Sequence, residues 1–155
     1  ARGKIIGRPH IASVMVDKGY VKSTSEAFER FLGESQPAYV EKKKITPQEG
    51  ICLIKEAGGL AVLAHPIYIK RSGHKLEDVL RELITYGLDG IEVYYSEHTE
   101  KESSQFIELA KKYNLLITGG SDFHGKSKPK IELGRGYGML KVPYDLLTKM
   151  RARIG

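Results

Sequence analysis

Gly90-Ile91-Glu92-Val93-Tyr94-Tyr95-Ser96-Glu97-His98-Thr99-Glu100-Lys101-Glu102 reads as a strand running directly into a helix. Gly90 to Tyr95 is short and rich in β-branched and aromatic residues, as strands are. Thr99 with Glu102 forms the spacing of a capping box and predicts a helix through Phe106, Leu109 and Ala110. Working outward, the same alternation recurs. Leu60 to Ala64 predicts a strand; Leu76, Val79, Leu80, Leu83 and Ile84 have helical spacing and end at Gly87; Leu115 to Thr118 predicts a third strand. Thr46-Pro47-Gln48-Glu49 combines an N-cap, a proline at N1 and a capping-box glutamate, so a helix is expected from there to Gly58-Gly59. A last helix is expected from Pro143. Strands separated by helices imply parallel pairing, hence an α/β fold that is an open sheet or part of a barrel.

Before residue 46 the pattern is helical. Pro9 suits a first helical turn, followed by Ile11, Ala12, Val14, Met15 and Val16, with Gly19 as the stop. Ser23 and Glu26 form a second capping box ahead of Phe28, Phe31 and Leu32, and Gly33 ends that helix. Glu34 to Lys44, with Pro37 and Lys42-Lys43-Lys44, reads as an exposed connection.

Composition sets the outer limits. With 155 residues, 41% hydrophobic and 28% charged, a chain of this length can bury an ordinary core, which argues against disorder. No apolar run approaches the ~20 residues needed to cross a bilayer, and no signal peptide is evident; a cytoplasmic protein is expected. The single cysteine, Cys52, cannot form an internal disulfide, fits a reducing compartment, and is expected to be a buried structural thiol. The net charge of +6 suits anionic partners and equally suits plain solubility. The chain begins at Ala1 without an initiator methionine, which predicts a fragment.

Parallel α/β folds place chemistry beyond the carboxyl ends of their strands. Those ends carry Ala64-His65-Pro66, then Glu92 and Tyr94-Tyr95-Ser96 leading to His98, then Gly120-Ser121-Asp122-Phe123-His124-Gly125. In an extended segment Asp122 and His124, two apart, would emerge on one side. Alone, Asp-x-His is also what an Asx-turn beside a surface histidine looks like; His65 at another strand end favours metal binding. His10, in the first turn of a helix, could present a nitrogen to a cleft or simply lie on the surface. His10, His65, Asp122 and His124 supply the nitrogen and oxygen donors that suit Zn²⁺, Mn²⁺ or Fe²⁺, and one cysteine excludes a thiolate-rich zinc site. His74 lacks a strand-end context. Arg8 could hold a phosphate beside a helix start. Lys126, Lys128 and Lys130 would add positive potential or line a solvated loop, and Tyr94 and Tyr95 would stack on a base or pack in the sheet.

Gly7-Arg8-Pro9-His10-Ile11-Ala12, Ala64-His65-Pro66, Ile91-Glu92-Val93-Tyr94-Tyr95 with His98, and Gly120-Ser121-Asp122-Phe123-His124-Gly125, in that order, resemble the later motifs of the PHP (polymerase and histidinol phosphatase) superfamily. The resemblance spans His10 to about Gly138. It is nearest to the stand-alone metal-dependent phosphoesterases that act on nucleoside 3′,5′-bisphosphates and on short RNA 5′ ends. It implies the later part of a distorted (β/α)7 barrel, residues 1–18 and 46–155, with a small helical insertion over residues 19–45. It further implies up to three divalent metal ions in the intact parent: His10 and His65 on one, Asp122 on a second, His124 on a third, with Arg8, Glu92 and His98 near substrate. Metal-activated water would then attack a phosphate monoester of a nucleotide or short oligonucleotide. The family's opening His-x-His pair and the acidic and histidine ligands that follow it do not occur before His10, so this polypeptide alone is expected to be inactive. Histidinol phosphate, a polymerase-associated role, and a metal-free basic RNA-binding module are the rival readings; oligomeric state is left open.

Overall fold

The computed structural model describes residues 6–41 and 45–154. The expected lysine run Lys42-Lys43-Lys44 and the first five residues lie outside that range. The chain divides into two compact units, Ala1–Lys44 and Ile45–Gly155.

The first unit holds α1 (Arg8–Asp17) and α2 (Thr24–Ala27), which runs on into a π-helical turn, Phe28–Leu32. Gly19, at φ 72°, follows α1. Ser23 caps α2 by accepting from the Glu26 amide at 3.1 Å. The expected reciprocal bond is displaced by one residue: the Glu26 carboxylate accepts from the Lys22 amide at 2.7 Å. Ala12, Val21, Ala27 and Leu32 form a small core with Met15, Val16, Phe28 and Phe31 against it. Of the apolar residues expected to line α1, Ile11 and Val14 are exposed. Residues on both sides of position 18 share this core.

The second unit is built on a three-stranded parallel sheet in the order β1 (Val62–Leu63), β2 (Gly90–Tyr95), β3 (Leu116–Gly120). Helix α3 (Pro47–Glu56) precedes it, α4 (Ile67–Arg71) and α5 (Leu76–Thr85) join β1 to β2, α6 (Glu100–Lys112) joins β2 to β3, and α7 (Asp145–Ile154) closes the chain. Thr46 and Thr99 make the expected capping boxes. No helix among the described residues is long and apolar enough to cross a membrane.

Alternation along β2 decides the core. Ile91 and Val93 are buried and meet Leu76, Leu80 and Leu83 of α5 and Phe106 and Ala110 of α6, with Ile51 of α3 in the same cluster. Ile51 is the buried residue of α3; Cys52, one position around the helix, is exposed, contrary to expectation. Its thiol donates to Glu56 Oε1 at 3.3 Å, and that carboxylate raises the thiol pKa.

Strand β1 is shorter than expected because carboxylate chemistry replaces part of the ladder at its start. Asp89 Oδ2 accepts from the Ala61 amide at 2.8 Å while Lys55 Nζ lies 2.7 and 2.9 Å from the two carboxylate oxygens. At its other end His65 takes a positive φ of 34°, turning the chain out of the sheet. The register of β2 against β3 slips between Glu92 and Tyr94. Gly119 sits opposite that slip: a Cβ there would come within 2.6 Å of Tyr94 Cβ. The bulge re-aims the residues that follow it on β2.

Candidate active site at the carboxyl ends of the strands

The three strand ends of the second unit converge through a continuous set of contacts. The His65 amide donates to Glu92 Oε2 at 2.7 Å, joining the end of β1 to the middle of β2. The His65 ring lies 5.3 Å from the Tyr68 ring and 5.9 Å from the Tyr95 ring. Tyr95 Oη donates to Asp122 Oδ2 at 3.2 Å, carrying the connection to the segment after β3. Lys128 Nζ donates to the same carboxylate oxygen. On the outer side Tyr68 Oη donates to Glu97 Oε1 at 3.1 Å and Arg71 to Glu97 Oε2 at 2.9 Å.

The electrostatics follow from these partners. The Lys128 ammonium holds the Asp122 carboxyl below its usual range, and Asp122 in turn raises the Lys128 pKa. Burial raises Glu92, opposed by the His65 amide and reinforced by the Asp122 charge. Burial also drives the Tyr95 hydroxyl strongly upward, so it stays a neutral donor. Glu97 is lowered by Arg71.

Asp122 does not sit in an extended segment. Its φ is 55°, so the two-residue alternation that would put Asp122 and His124 on one side does not apply. The ring of His124 turns back instead: Nδ1 is 2.7 Å from the Asp122 carbonyl oxygen and 3.4 Å from Oδ1. A carbonyl can only accept, so Nδ1 carries a proton, and in the neutral ring this leaves the lone pair on Nε2, the tautomer that suits a metal ligand. His10, in the first unit, has the opposite arrangement. Its Nδ1 accepts from the Gly7 amide at 3.1 Å, which leaves the proton on Nε2; ligation through Nε2 would require that cap to open. Arg8 is occupied within its own unit, donating to the Leu32 carbonyl at 3.0 Å and lying over the Phe28 and Tyr39 rings.

His98 occupies a packed position. Its Nδ1 is 2.8 Å from the Val93 carbonyl, its ring stands edge-on to Tyr95 and Phe106 at 5.0 and 4.8 Å, and its buried Nε2 has no hydrogen-bond partner. Burial lowers its pKa below the usual histidine value. The unfolded chain therefore binds this proton more readily than the folded one. Stability is full above about pH 6.5, the unfolded value, and falls as pH drops toward the folded value. A slope approaching ~1.4 kcal/mol per pH unit is the single-proton limit. Chemical denaturation between pH 7.5 and 5 should show a flatter slope for His98→Leu than for the parent; equal slopes would remove His98 as the group responsible.

Among the described residues, no three His, Cys, Asp or Glu side chains come together as a metal site. The Asp122 carboxylate is already engaged by Lys128 and Tyr95. The donors present thus fit part of a divalent-ion site and do not complete one.

The sequence gives no signal for Tyr68, Glu97 and Arg71, and marks Tyr95 as a stacking or packing residue, not as the partner of a carboxylate. Tyr95 is 3% exposed, so its face is not open to stack on a base. The signal for its actual role was the end of β2, where a residue that turns its hydroxyl toward the next strand end can hold a carboxylate.

No family model matches the chain. It is 33% identical over 135 residues to the 5′-3′ exoribonuclease Rnm of Escherichia coli, covering 87% of this chain and 46% of that protein. It is 28% identical over 151 residues to the 3′,5′-nucleoside bisphosphate phosphatase of Chromobacterium violaceum, covering 97% of this chain and 53% of that protein. The crystal structure of a proposed metal-dependent phosphoesterase from Bifidobacterium adolescentis superposes with a TM-score of 0.75 at 33% identity, covering 96% of this chain and 50% of that one. The chain thus spans about half the length of the curated relatives it matches.

Proposed function

The chain belongs to the PHP-type phosphoesterases, and from that membership we propose that it supplies the phosphate-facing strand ends of an enzyme that hydrolyses phosphate monoesters of nucleotides, either nucleoside 3′,5′-bisphosphates or short RNA 5′ ends. The observation that carries the reading is the Asp122 carboxylate held between Tyr95 and Lys128 beside His124, whose Nε2 lone pair is free. Asp122 and His124, with His65 across the sheet, are the donors this unit offers to divalent metal ions; His10 belongs to the other unit and reaches the same role only in its other tautomer. Lys128, partnered to Asp122, supplies positive charge where a phosphoryl group would approach. Glu92 acts through the His65 amide, positioning the turn that carries His65. His98 acts through Tyr95, bracing the ring that fixes Asp122.

The helical segment 19–45 is proposed as an insertion into the α/β framework, and Mn²⁺, Zn²⁺ or Fe²⁺ as the ion. Because the ligand-type groups here do not complete a metal site, turnover is expected to require donors beyond these residues. Phosphate release from adenosine 3′,5′-bisphosphate with Mn²⁺ should be absent for this polypeptide and present for a form extended by ~100 residues at its N-terminus, a length taken from ordinary domain size. Turnover by the 155-residue chain would show that further donors are unnecessary. Turnover by neither form, with hydrolysis of histidinol phosphate by the longer one, would replace the nucleotide reading.

A further inference from the structure

Downstream of Asp122 the chain makes a glycine-rich strap that the site described above does not use. The Glu132 amide donates to the Gly136 carbonyl at 2.7 Å and the Gly136 amide to the Glu132 carbonyl at 3.0 Å, closing a small turn. Gly136 has a φ of 58°, and a Cβ there would lie 2.4 Å from Ser96 Oγ, so glycine is required both by the backbone and by the contact. Two serines anchor the strap to the strand ends. Ser121 Oγ accepts from the Gly134 amide at 3.1 Å, and Ser96 Oγ donates to the Ser121 carbonyl at 2.8 Å.

This anchoring places Tyr137 at the wall common to two cavities. The larger, about 590 Å³, is lined with Ser96, His98, Glu100 and Ser103; the smaller, about 320 Å³, is lined with Lys128 and Lys130. Tyr137 is 57% exposed and belongs to neither apolar core. Lys128 is also the partner of Asp122, so the smaller cavity adjoins the candidate site. The chemistry of the two cavities differs. Lys130 has no ion pair among the described residues and Glu97, in the same wall, is already held by Arg71, so the smaller cavity favours an anion. The larger offers serine hydroxyls and the apolar side chains of Ile107, Met139 and Leu140, with Glu100 and Lys141 offsetting each other in charge, which suits the hydroxyls and ring of a nucleoside.

We infer that Tyr137 is a stacking platform for the nucleobase of the phosphate ester, with the nucleoside in the larger cavity and its phosphate toward Lys128 and Lys130. An exposed tyrosine gives a π-face to any base at low conformational cost, and removing such a face weakens binding by roughly ten-fold. The assignment rests on the nucleotide phosphoesterase reading and goes further by making the base, and not only the phosphate, a recognised part of the substrate.

Calorimetric titration of this chain in the presence of Mn²⁺ tests it with two probes, adenosine 3′,5′-bisphosphate and base-free ribose 5-phosphate. Tyr137→Ala should weaken the first by about ten-fold and leave the second within about two-fold, while Tyr137→Phe, which keeps the ring, should retain both. Unchanged affinity of Tyr137→Ala for adenosine 3′,5′-bisphosphate overturns the inference, as does an equal loss for both esters. Binding of neither ester by the unmodified chain also overturns the inference, whereas the nucleotide reading itself stands or falls with phosphate release by the extended form.

Discussion

Asp122→Asn should lower phosphate release from adenosine 3′,5′-bisphosphate by at least about 100-fold in the catalytically active form of the protein, because loss of a residue that only supports a metal ligand already costs up to about 100-fold and Asp122 is proposed as a ligand itself. The substitution keeps the shape of the side chain and its capacity to accept from Tyr95, but removes the negative charge. Two consequences follow from the contacts at this position. The Lys128 ammonium loses its counter-ion, and a divalent ion loses an anionic oxygen. Since Asp122 is partly open to solvent, the thermal midpoint should move little, which separates a chemical role from a structural one. Steady-state kinetics with circular dichroism of the same samples make the comparison. Activity near that of the parent would remove Asp122 from the site, and a collapse of the melting transition would reassign it to stability.

Phe106→Ala should destabilise the second unit by about 3–5 kcal/mol, the usual cost of truncating a fully buried aromatic ring. Phe106 is 1% exposed, packs in the core beneath β2 and supports the edge of His98. The loss reaches beyond volume. His98 braces Tyr95, and Tyr95 holds Asp122, so a cavity under His98 loosens the support of the carboxylate from below. Urea denaturation reads the stability change. Phe106→Leu, which refills most of the space, should recover much of it; a loss under 1 kcal/mol for the alanine variant would mean the ring is not the keystone of this core.

Periodicity and capping made the framework legible. Gly90–Tyr95 forms the expected strand and Thr99 with Glu102 starts the expected helix, because both signals are local and nothing distant competes with them. What escaped depends on contacts far apart in sequence. The shortness of β1 comes from Asp89, twenty-eight positions from Ala61, taking over a backbone amide. Helix α4 is a single short turn-rich element after Pro66, with little room for a periodic pattern. Cys52 sits next to a buried isoleucine, yet one step around a helix is enough to turn it outward. At the strand ends the residue types were readable, whereas their geometry was not: a left-handed backbone at Asp122 and a carbonyl partner for His124 replace the simple alternation of an extended chain. Tyr137 carried no motif, and its position emerges only once Gly134, Gly136 and two serines have folded the strap around it.

The strap also separates two demands that proteins usually have to satisfy together. Leu133, Tyr137 and Met139 are exposed and outside the apolar cores, while Ser96, Ser121 and Gly136 hold the backbone in place. Exposed positions of this kind exchange side chains at little thermodynamic cost. Over evolutionary time, side chains on the strap can therefore change while foldability stays with the sheet and its helices, an arrangement suited to diversification by substitution.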